Sequence, residues 1–185
     1  MDHSLSDEGN FGVAANLFGN LGTKQLVASS CGLIGLTKEG KLFHFSYAIS
    51  GEQKIVQYPN IDMVFDFLAV SHDGKSVAAL DLKQTTIVHW EFHRDHETLD
   101  QPYDIIRLRT NAGEPFGVVK MVAGNSHFML LTESGEVFTW AFSSCAGTLT
   151  RNTMCETIPG IVSTLKGVKI VDIACGGSIQ KGNFN

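Results

Sequence analysis

Hydrophobic and polar positions along the chain alternate in short runs, and these runs recur as a larger unit. In the clearest unit, residues 118–140, Val119, Met121 and Ala123 alternate with their neighbours along a first predicted strand. The small residues Gly124-Asn125 follow this strand and are typical of a tight turn. Period-two alternation bounded by turn residues predicts a β-strand with one buried face.

The rest of this unit predicts a β-hairpin. Residues 127–132 form a second apolar run, and residues 137–140 form a third, which ends in Trp140. The connecting residues 133–136 include Gly135, which can take the positive φ that a tight hairpin turn requires. The whole unit is therefore predicted to be a set of short antiparallel strands.

The same unit recurs earlier in the chain. In residues 24–45, the turn at 37–41 matches the turn at 132–136 position for position. Residues 67–90 form a weaker copy, because Gln84-Thr85 stand where the other copies have a glycine-containing turn. An additional turn signal in this copy, at residues 73–74, leaves its register open.

An aromatic residue closes each copy, at Phe45, Trp90 and Trp140, so that the copies are 45 and 50 residues apart. Residues 167–178 begin a fourth copy, at a shift of 52 from the unit at 118–140. A period near 50, with about four short strands in each unit, is typical of a β-propeller blade. We therefore predict an all-β fold, a partial β-propeller of three blades and the start of a fourth.

Composition agrees with this fold class and limits the function. The chain is 43% hydrophobic and 18% charged, and its 19 glycines suit many short strands joined by tight turns. The formal net charge of −5 argues against a broad nucleic-acid-binding surface, which is usually basic. Arg107 and Arg109 form a local basic pair, which we interpret as solvated surface.

The two ends and the cysteines indicate the compartment. Residues 1–10 lack the basic start and apolar run of a secretory signal, and no stretch approaches the roughly 18 apolar residues of a membrane span. Cys31, Cys145, Cys155 and Cys175 have no CxxC spacing, so we predict free thiols. We expect an intracellular protein, nuclear and/or cytoplasmic and not secreted, that binds neither membranes nor nucleic acid directly.

One histidine cluster has the spacing of a metal site. His89, His93 and His96 have acidic residues nearby, and histidines at such a spacing on a helix or ribbon can bind zinc. However, the segment follows a strand that ends in Trp90 and precedes a polar stretch. We interpret it as an exposed loop between blades rather than as a zinc site.

Three other motifs also have structural interpretations. His93-Arg94-Asp95 matches the kinase catalytic triplet, but the other kinase motifs are absent from the sequence. Residues 19–24 resemble a phosphate-binding loop, yet only two residues separate the glycines and Lys24 leads into a strand. His127 has the chemistry of a general base, but no nucleophile and orienting acid accompany it. We therefore expect no catalytic, metal-binding or cofactor-binding residues.

Several segments resemble the regulator-of-chromosome-condensation repeat family, whose repeats contain V-x-x-V-A-C-G-x-x-H, L-T-x-D-G and V-Y-x-W-G. Residues 122–127, 131–135 and 137–140 look like one such repeat, and residues 158–167 resemble the link to the next. Residues 11–22 are similar to an outer strand of the family and the loop after it. The resemblance implies a seven-bladed propeller in which His127 is a buried structural residue.

The chain departs from the family pattern at two places. Trp140 is followed by Ala141 rather than glycine, and residues 147–150 replace a GQLG element. This divergence is typical of a peripheral family member, and the FG-containing outer strand at residues 11–22, followed by a degenerate first half, resembles the RCC1-domain-containing protein 1 subfamily. That resemblance implies binding to a JmjC-domain oxygenase and a link to histone H3 lysine methylation and mitosis. The founding member of the family implies an alternative, guanine-nucleotide exchange on a small Ran-like GTPase, although the sequence has no identifiable loop wedge for it.

The resemblance ends after Ser178, because Ile179 stands where the family has a histidine. We expect residues 1–9 to be disordered, 10–178 to form the partial propeller and 179–185 to be an unrelated tail. A truncated gene model, a retained intron or a short splice form would explain this break, and a genuine tail on a small domain is the alternative. We expect the chain alone to be aggregation-prone or partly folded, because terminal blades would expose apolar flanks.

The predicted function is a non-catalytic scaffold for protein–protein interaction. Loops at the two faces of a propeller present recognition surface on a rigid frame. The longest polar insertions, residues 93–103 and 143–157, are the predicted contact sites.

Overall fold

The computed structural model describes residues 22–29, 32–47, 53–57, 63–91, 104–108, 116–125, 127–141 and 157–176. Within these ranges the chain forms three antiparallel sheets of four strands each. No helix in the described ranges is long and apolar enough to cross a membrane.

The strands follow the chain order within each sheet. The first sheet contains β1 (Thr23–Ser29), β2 (Gly32–Thr37), β3 (Leu42–Tyr47) and β4 (Gln53–Gln57). The second contains β5 (Phe65–Val70), β6 (Ser76–Asp81), β7 (Thr86–Glu91) and β8 (Asp104–Arg107). The third contains β9 (Val118–Ala123), β10 (His127–Thr132), β11 (Val137–Ala141) and β12 (Gly160–Ile161). A 3₁₀ turn, Ser163–Leu165, follows.

The three sheets are successive propeller blades, numbered here one to three. The chain enters each blade at one edge and moves to the adjacent strand at every turn. β1 contacts β5, and β5 contacts β9, so these are the inner strands and β4, β8 and β12 are the outer strands. The predicted partial β-propeller of three blades is confirmed. After blade three, Ile170 and Ile173 pack against Leu131 and Val137, at the place where the inner strand of a fourth blade is expected.

The hydrophobic core lies between successive blades. Trp90 of blade two is buried among side chains of blade one and meets Phe65 edge-on, with 6.0 Å between ring centroids. Trp140 of blade three is fully buried against blade two and stacks on Phe128 at 5.2 Å. Each ring buries on the order of 200 Å², so one tryptophan anchors each of these two interfaces.

A β-bulge interrupts the predicted alternation in β9. The pairing between β9 and β10 shifts at Val119, so that Val118 is buried, at 3% exposed, and Val119 is 45% exposed. The alternation predicted from Val119 to Ala123 is therefore wrong at its first residue. The same shift occurs at Lys24 in β1 and at Asp66 in β5. A bulge increases the local twist of a strand, and here it recurs where each inner strand begins.

A backbone hydrogen bond joins the hairpin tip of one blade to the start of the next inner strand. The Gly40 carbonyl accepts from the Phe65 N–H at 2.9 Å, and the Gly135 carbonyl accepts from the Ile170 N–H at 3.1 Å. The two glycines have φ of 77° and 85°. A Cβ on Gly135 would lie 2.7 Å from Cγ of Lys169 and 3.0 Å from the Ile170 nitrogen. Glycine is therefore required here for both conformation and space.

In blade two, a side chain instead of the backbone joins the hairpin tip to the next inner strand. Gln84 occupies the equivalent turn position at φ 54°. Its Oε1 accepts from the Val118 N–H at 2.6 Å, and its Nε2 donates to the Val118 carbonyl at 3.0 Å. The turn is held by the buried carboxylate of Asp81, whose Oδ1 accepts from the N–H groups of Thr85 and Thr86, both at 2.7 Å. The copy with the weakest sequence signal is thus a complete blade.

The outer strands were not located from the sequence. β4 and β8 are five and four residues long, and β12 has two. Other predictions lie outside the described residues, including the outer strand at 10–21, the cysteines at 31, 145 and 155, and the tail at 179–185.

Substitution of Gly135 tests the connection between blades. We expect Gly135→Ala to lower the free energy of unfolding by about 2 kcal/mol more than Gly167→Ala. Both glycines have positive φ, 85° and 82°, but a Cβ on Gly167 would meet nothing within 4 Å. The difference therefore isolates the close approach to Ile170. Denaturant titration of both variants, in the longest form of the protein obtained soluble, measures it, and equal losses would contradict this account.

Candidate partner-binding groove

A groove of about 630 Å³ runs along the outer side of the junction between blades two and three. One side is the outer strand of blade two and the residue after it, and the other side is the segment that leads into β12. The lining residues are Asp104, Ile105, Ile106, Arg107, Leu108, Phe116, Phe138, Thr157, Ile158 and Pro159.

β8 forms the first wall. It pairs with β7, with Ile105 opposite Val88 and Ile106 opposite Ile87. Because successive side chains of a strand point to opposite faces, Ile106 turns into the core between blades two and three, whereas Ile105 is 52% exposed. Ile106 therefore anchors β8 to the core, and Ile105 is exposed to solvent.

Two phenylalanines form the floor. Phe116 precedes β9 and Phe138 lies on β11, and their rings meet at 4.6 Å with an interplanar angle of 64°. Both pack against the core cluster between blades two and three. The opposite wall includes Ile158, which is 67% exposed, and Pro159. The groove is therefore an apolar surface with a rigid aromatic floor.

Two charged residues mark the ends of β8. The Asp104 side chain is partly exposed, and its Oδ1 accepts a hydrogen bond from the Ile105 N–H at 2.8 Å. Arg107 is exposed. We interpreted Arg107 as solvated surface, and its exposure agrees with that; Arg109 lies outside the described residues.

His89 lies deep in the same junction. It is fully buried on β7, and its ring meets Phe128 of blade three edge-on at 6.1 Å. Burial lowers the pKa of His89 to about 3, because the charged form would lose its hydration. His93 and His96 lie outside the described residues, and no group of three metal-binding side chains occurs among the residues that are described.

His127 has a structural environment. It is 8% exposed, and a Cβ placed on Gly124 would lie 2.2 Å from Cε1 of its ring. The ring therefore packs directly over the Gly124 backbone, whose carbonyl accepts from the His72 N–H of blade two at 2.8 Å. Burial lowers the pKa of His127 below its ordinary value. These contacts explain the glycine and the histidine of the repeat by packing alone.

Two further sequence candidates also have structural roles. Lys24 lies on β1, where its Nζ forms an ion pair with Asp66 and donates to the Asp66 carbonyl at 2.8 Å. It is therefore part of the junction between blades one and two rather than of a phosphate-binding loop. Cys175 is a half-buried free thiol, and burial raises its pKa to about 11. Its thiolate form is accordingly scarce at neutral pH.

Sequence reasoning placed the contact sites in the polar insertions and missed the groove. Of residues 93–103 and 143–157, the structure describes Thr157 alone, which does line the groove. The available signal was the run Asp104–Arg107, two aliphatic residues between opposite charges. Such a run predicts a short strand, but it does not show which distant residues lie beside it.

Comparisons with known proteins agree with the architecture. The profile of the family described as Regulator of chromosome condensation (RCC1) repeat matches residues 118–140. The Saccharomyces cerevisiae protein Prp20p has a similar structure, with a TM-score of 0.56 and 14% identity over 85% of this chain. Residues 118–140 thus match one RCC1 repeat, and the fold of the described residues is similar to that of an RCC1 β-propeller. The chain's departures from the repeat, such as Ala141, do not alter the blade.

Other relatives extend this comparison. The structure of Kap60 bound to yeast RCC1 (Prp20) contains a chain similar to this one, with a TM-score of 0.57 and 16% identity over 83% of this chain. The structure of human WBSCR16 is also similar, with a TM-score of 0.52 and 15% identity over 79% of this chain. Human E3 ubiquitin-protein ligase HERC2 is 31% identical over 86 residues, 45% of this chain. The chain spans 2% of HERC2 and 42%, 38% and 39% of the Prp20p, Prp20–Kap60 and WBSCR16 chains.

Acid should weaken the junction between blades two and three through His89. Because the pKa of His89 is lowered to about 3, the unfolded chain binds a proton near pH 6.5 and the folded chain does not. The stabilisation is complete above pH 6.5 and falls by about 1 kcal/mol per pH unit toward pH 3. We expect His89→Thr, which introduces the residue at the equivalent position of blade three, to flatten this slope in denaturant titrations.

A variant without a titrating group provides the control. Leu80→Val removes one methylene from the same interface, where Leu80 is fully buried, and should lower stability by about 1 kcal/mol with the pH slope unchanged. Equal slopes in the wild-type and His89→Thr proteins would contradict the role of His89.

Proposed function

We propose that this chain is part of a non-catalytic β-propeller scaffold that binds protein partners. The observation that carries the proposal is the apolar groove between the outer parts of blades two and three. Ile158 exposes 67% of its surface on one wall, and Ile106 and Leu108 line the wall opposite. Apolar surface exposed beside polar residues is typical of an interaction site.

The rigidity of the junction supports this proposal. Phe116 and Phe138 form a floor that is fixed by the core between the blades. A partner that enters the groove therefore meets a preformed surface and loses little free energy in ordering it. Prp20p, to which this chain is similar in fold, has been studied for its binding to Gsp1p and histones.

The resemblance to the RCC1-domain-containing protein 1 subfamily suggests the partner class. We infer a JmjC-domain oxygenase, with a link to histone H3 methylation, in the nucleus and/or cytoplasm. The second candidate is guanine-nucleotide exchange on a small Ran-like GTPase. The fold likeness to Prp20p, and the binding to Gsp1p named for it, favour keeping this candidate.

Binding to purified partners tests the scaffold proposal. We expect the immobilised full chain to bind a JmjC-domain oxygenase from the same organism in biolayer interferometry. Ile158→Glu should weaken this binding at least tenfold, because it places a carboxylate in an apolar contact. Leu82→Glu is the matched control, since Leu82 is 59% exposed on the hairpin turn of blade two, and it should bind like the wild type.

Nucleotide release distinguishes the alternative. A scaffold leaves the rate of GDP release from a Ran-like GTPase unchanged, whereas an exchange factor accelerates it. Failure to bind the oxygenase together with accelerated release would replace the scaffold proposal with the exchange proposal.

A further inference from the structure

We propose that the groove binds an extended peptide segment of a partner protein, which adds to the free edge of β8 as a fifth strand of blade two. The expected segment has an acidic, an apolar, a second apolar and a basic residue in that order. This inference rests on the proposed scaffold function and specifies the kind of partner that the scaffold binds.

The backbone of β8 offers hydrogen-bonding groups on the side away from β7. β8 is the last strand of its sheet, so it pairs with β7 on one side only among the described residues. The Leu108 N–H donates to the Thr85 carbonyl at 2.7 Å. Because backbone groups of successive residues point to opposite sides of a strand, those of Ile105 and Arg107 point away from β7. Peptides bind such edges by strand addition.

The edge is open at one of these residues and partly closed at the other. The Asp104 carboxylate accepts the hydrogen bond of the Ile105 N–H, so this group is already satisfied. The N–H and carbonyl of Arg107 and the carbonyl of Ile105 remain for a partner strand. Blocked groups of this kind protect a sheet edge from indiscriminate pairing, so pairing here must be centred on Arg107.

An apolar floor lies beside this edge. Ile106 turns toward blade three, and the partner residue opposite it turns the same way, since paired residues share a face of the sheet. That partner side chain enters the groove above Phe116 and Phe138 and beside Ile158. The partner residue opposite the exposed Ile105 lies on the other face. Two consecutive apolar residues in the partner match both positions.

The charges at the two ends of β8 favour one order of residues in an antiparallel partner. Arg107 and Asp104 lie at the two ends of β8, about 10 Å apart at the usual rise of a strand. Opposite charges directly across a strand pair are favourable and like charges are not. An antiparallel partner therefore places its acidic residue opposite Arg107 and its basic residue opposite Asp104, with the two apolar residues between them.

The same alternation disfavours a second copy of this chain. The run Asp104-Ile105-Ile106-Arg107 itself has the expected charge order. However, the residue opposite Arg107 must turn its backbone groups toward Arg107, and those of Asp104 point toward β7 instead. A second β8 cannot satisfy both the charges and the hydrogen bonds in this register, so the occupant is a segment of another protein.

Two synthetic peptides test this inference on the full chain. The probe is fluorescein-labelled Thr-Glu-Val-Val-Lys-Thr, and the control is Thr-Lys-Val-Val-Lys-Thr, measured by fluorescence anisotropy. We expect the control to bind at least fivefold more weakly to the wild-type protein. Arg107→Glu should reverse this order, which a purely structural role of Arg107 would not do. Leu82→Glu is the matched surface control and should keep the wild-type order.

Other outcomes overturn the inference. It fails if neither peptide binds, if both bind equally, or if Arg107→Glu leaves their order unchanged. A dimer that Arg107→Glu dissociates, seen by sedimentation, would make a second copy the occupant. If the oxygenase binds wild type and Arg107→Glu alike, this inference fails while the scaffold proposal stands. Absence of oxygenase binding by the wild type counts against the scaffold proposal itself.

Discussion

The backbone hydrogen bond made by a hairpin-tip glycine sets how blades one and three meet the segment that follows each of them. It joins Gly40 to Phe65 and Gly135 to Ile170. Backbone atoms can approach this closely only where the turn residue has no Cβ. The bond fixes where the next strand begins, and the bulge that follows brings its buried residues against the preceding blade. The interface at Trp90, between blades one and two, depends on this placement.

The junction between blades two and three is built differently, because Gln84 replaces the glycine. Its side chain spans the gap that the backbone closes elsewhere and bonds both polar groups of Val118. The same junction contains the buried His89 and, farther out, the groove.

Sequence patterns predicted the elements in which a single residue type is required by local conformation or by size. Gly40 and Gly135 mark turns because of backbone conformation, and Trp90 and Trp140 mark the core because of their size. The bulge at Val119 has no such signal, since apolar residues continue on both sides of it. The outer strands β8 and β12, of four and two residues, are too short to show a clear period. They are stabilised by pairing with the adjacent strand of the blade, which the local sequence does not reveal. The groove depends on Phe116 and Phe138 meeting, which spacing alone does not predict.

Cross-links are concentrated at the inner strands and absent from the described outer edge of blade two. The Gln25 side chain donates to the Leu68 carbonyl at 2.5 Å and accepts from its N–H at 3.1 Å, and Lys24 pairs with Asp66 nearby. The exposed ion pair adds little, but two hydrogen bonds from one partly buried amide contribute on the order of 2 kcal/mol. The inner strands therefore hold the blades in place. Among the described strands β8 pairs only with β7, so a partner can add hydrogen bonds at its other edge without breaking any of these.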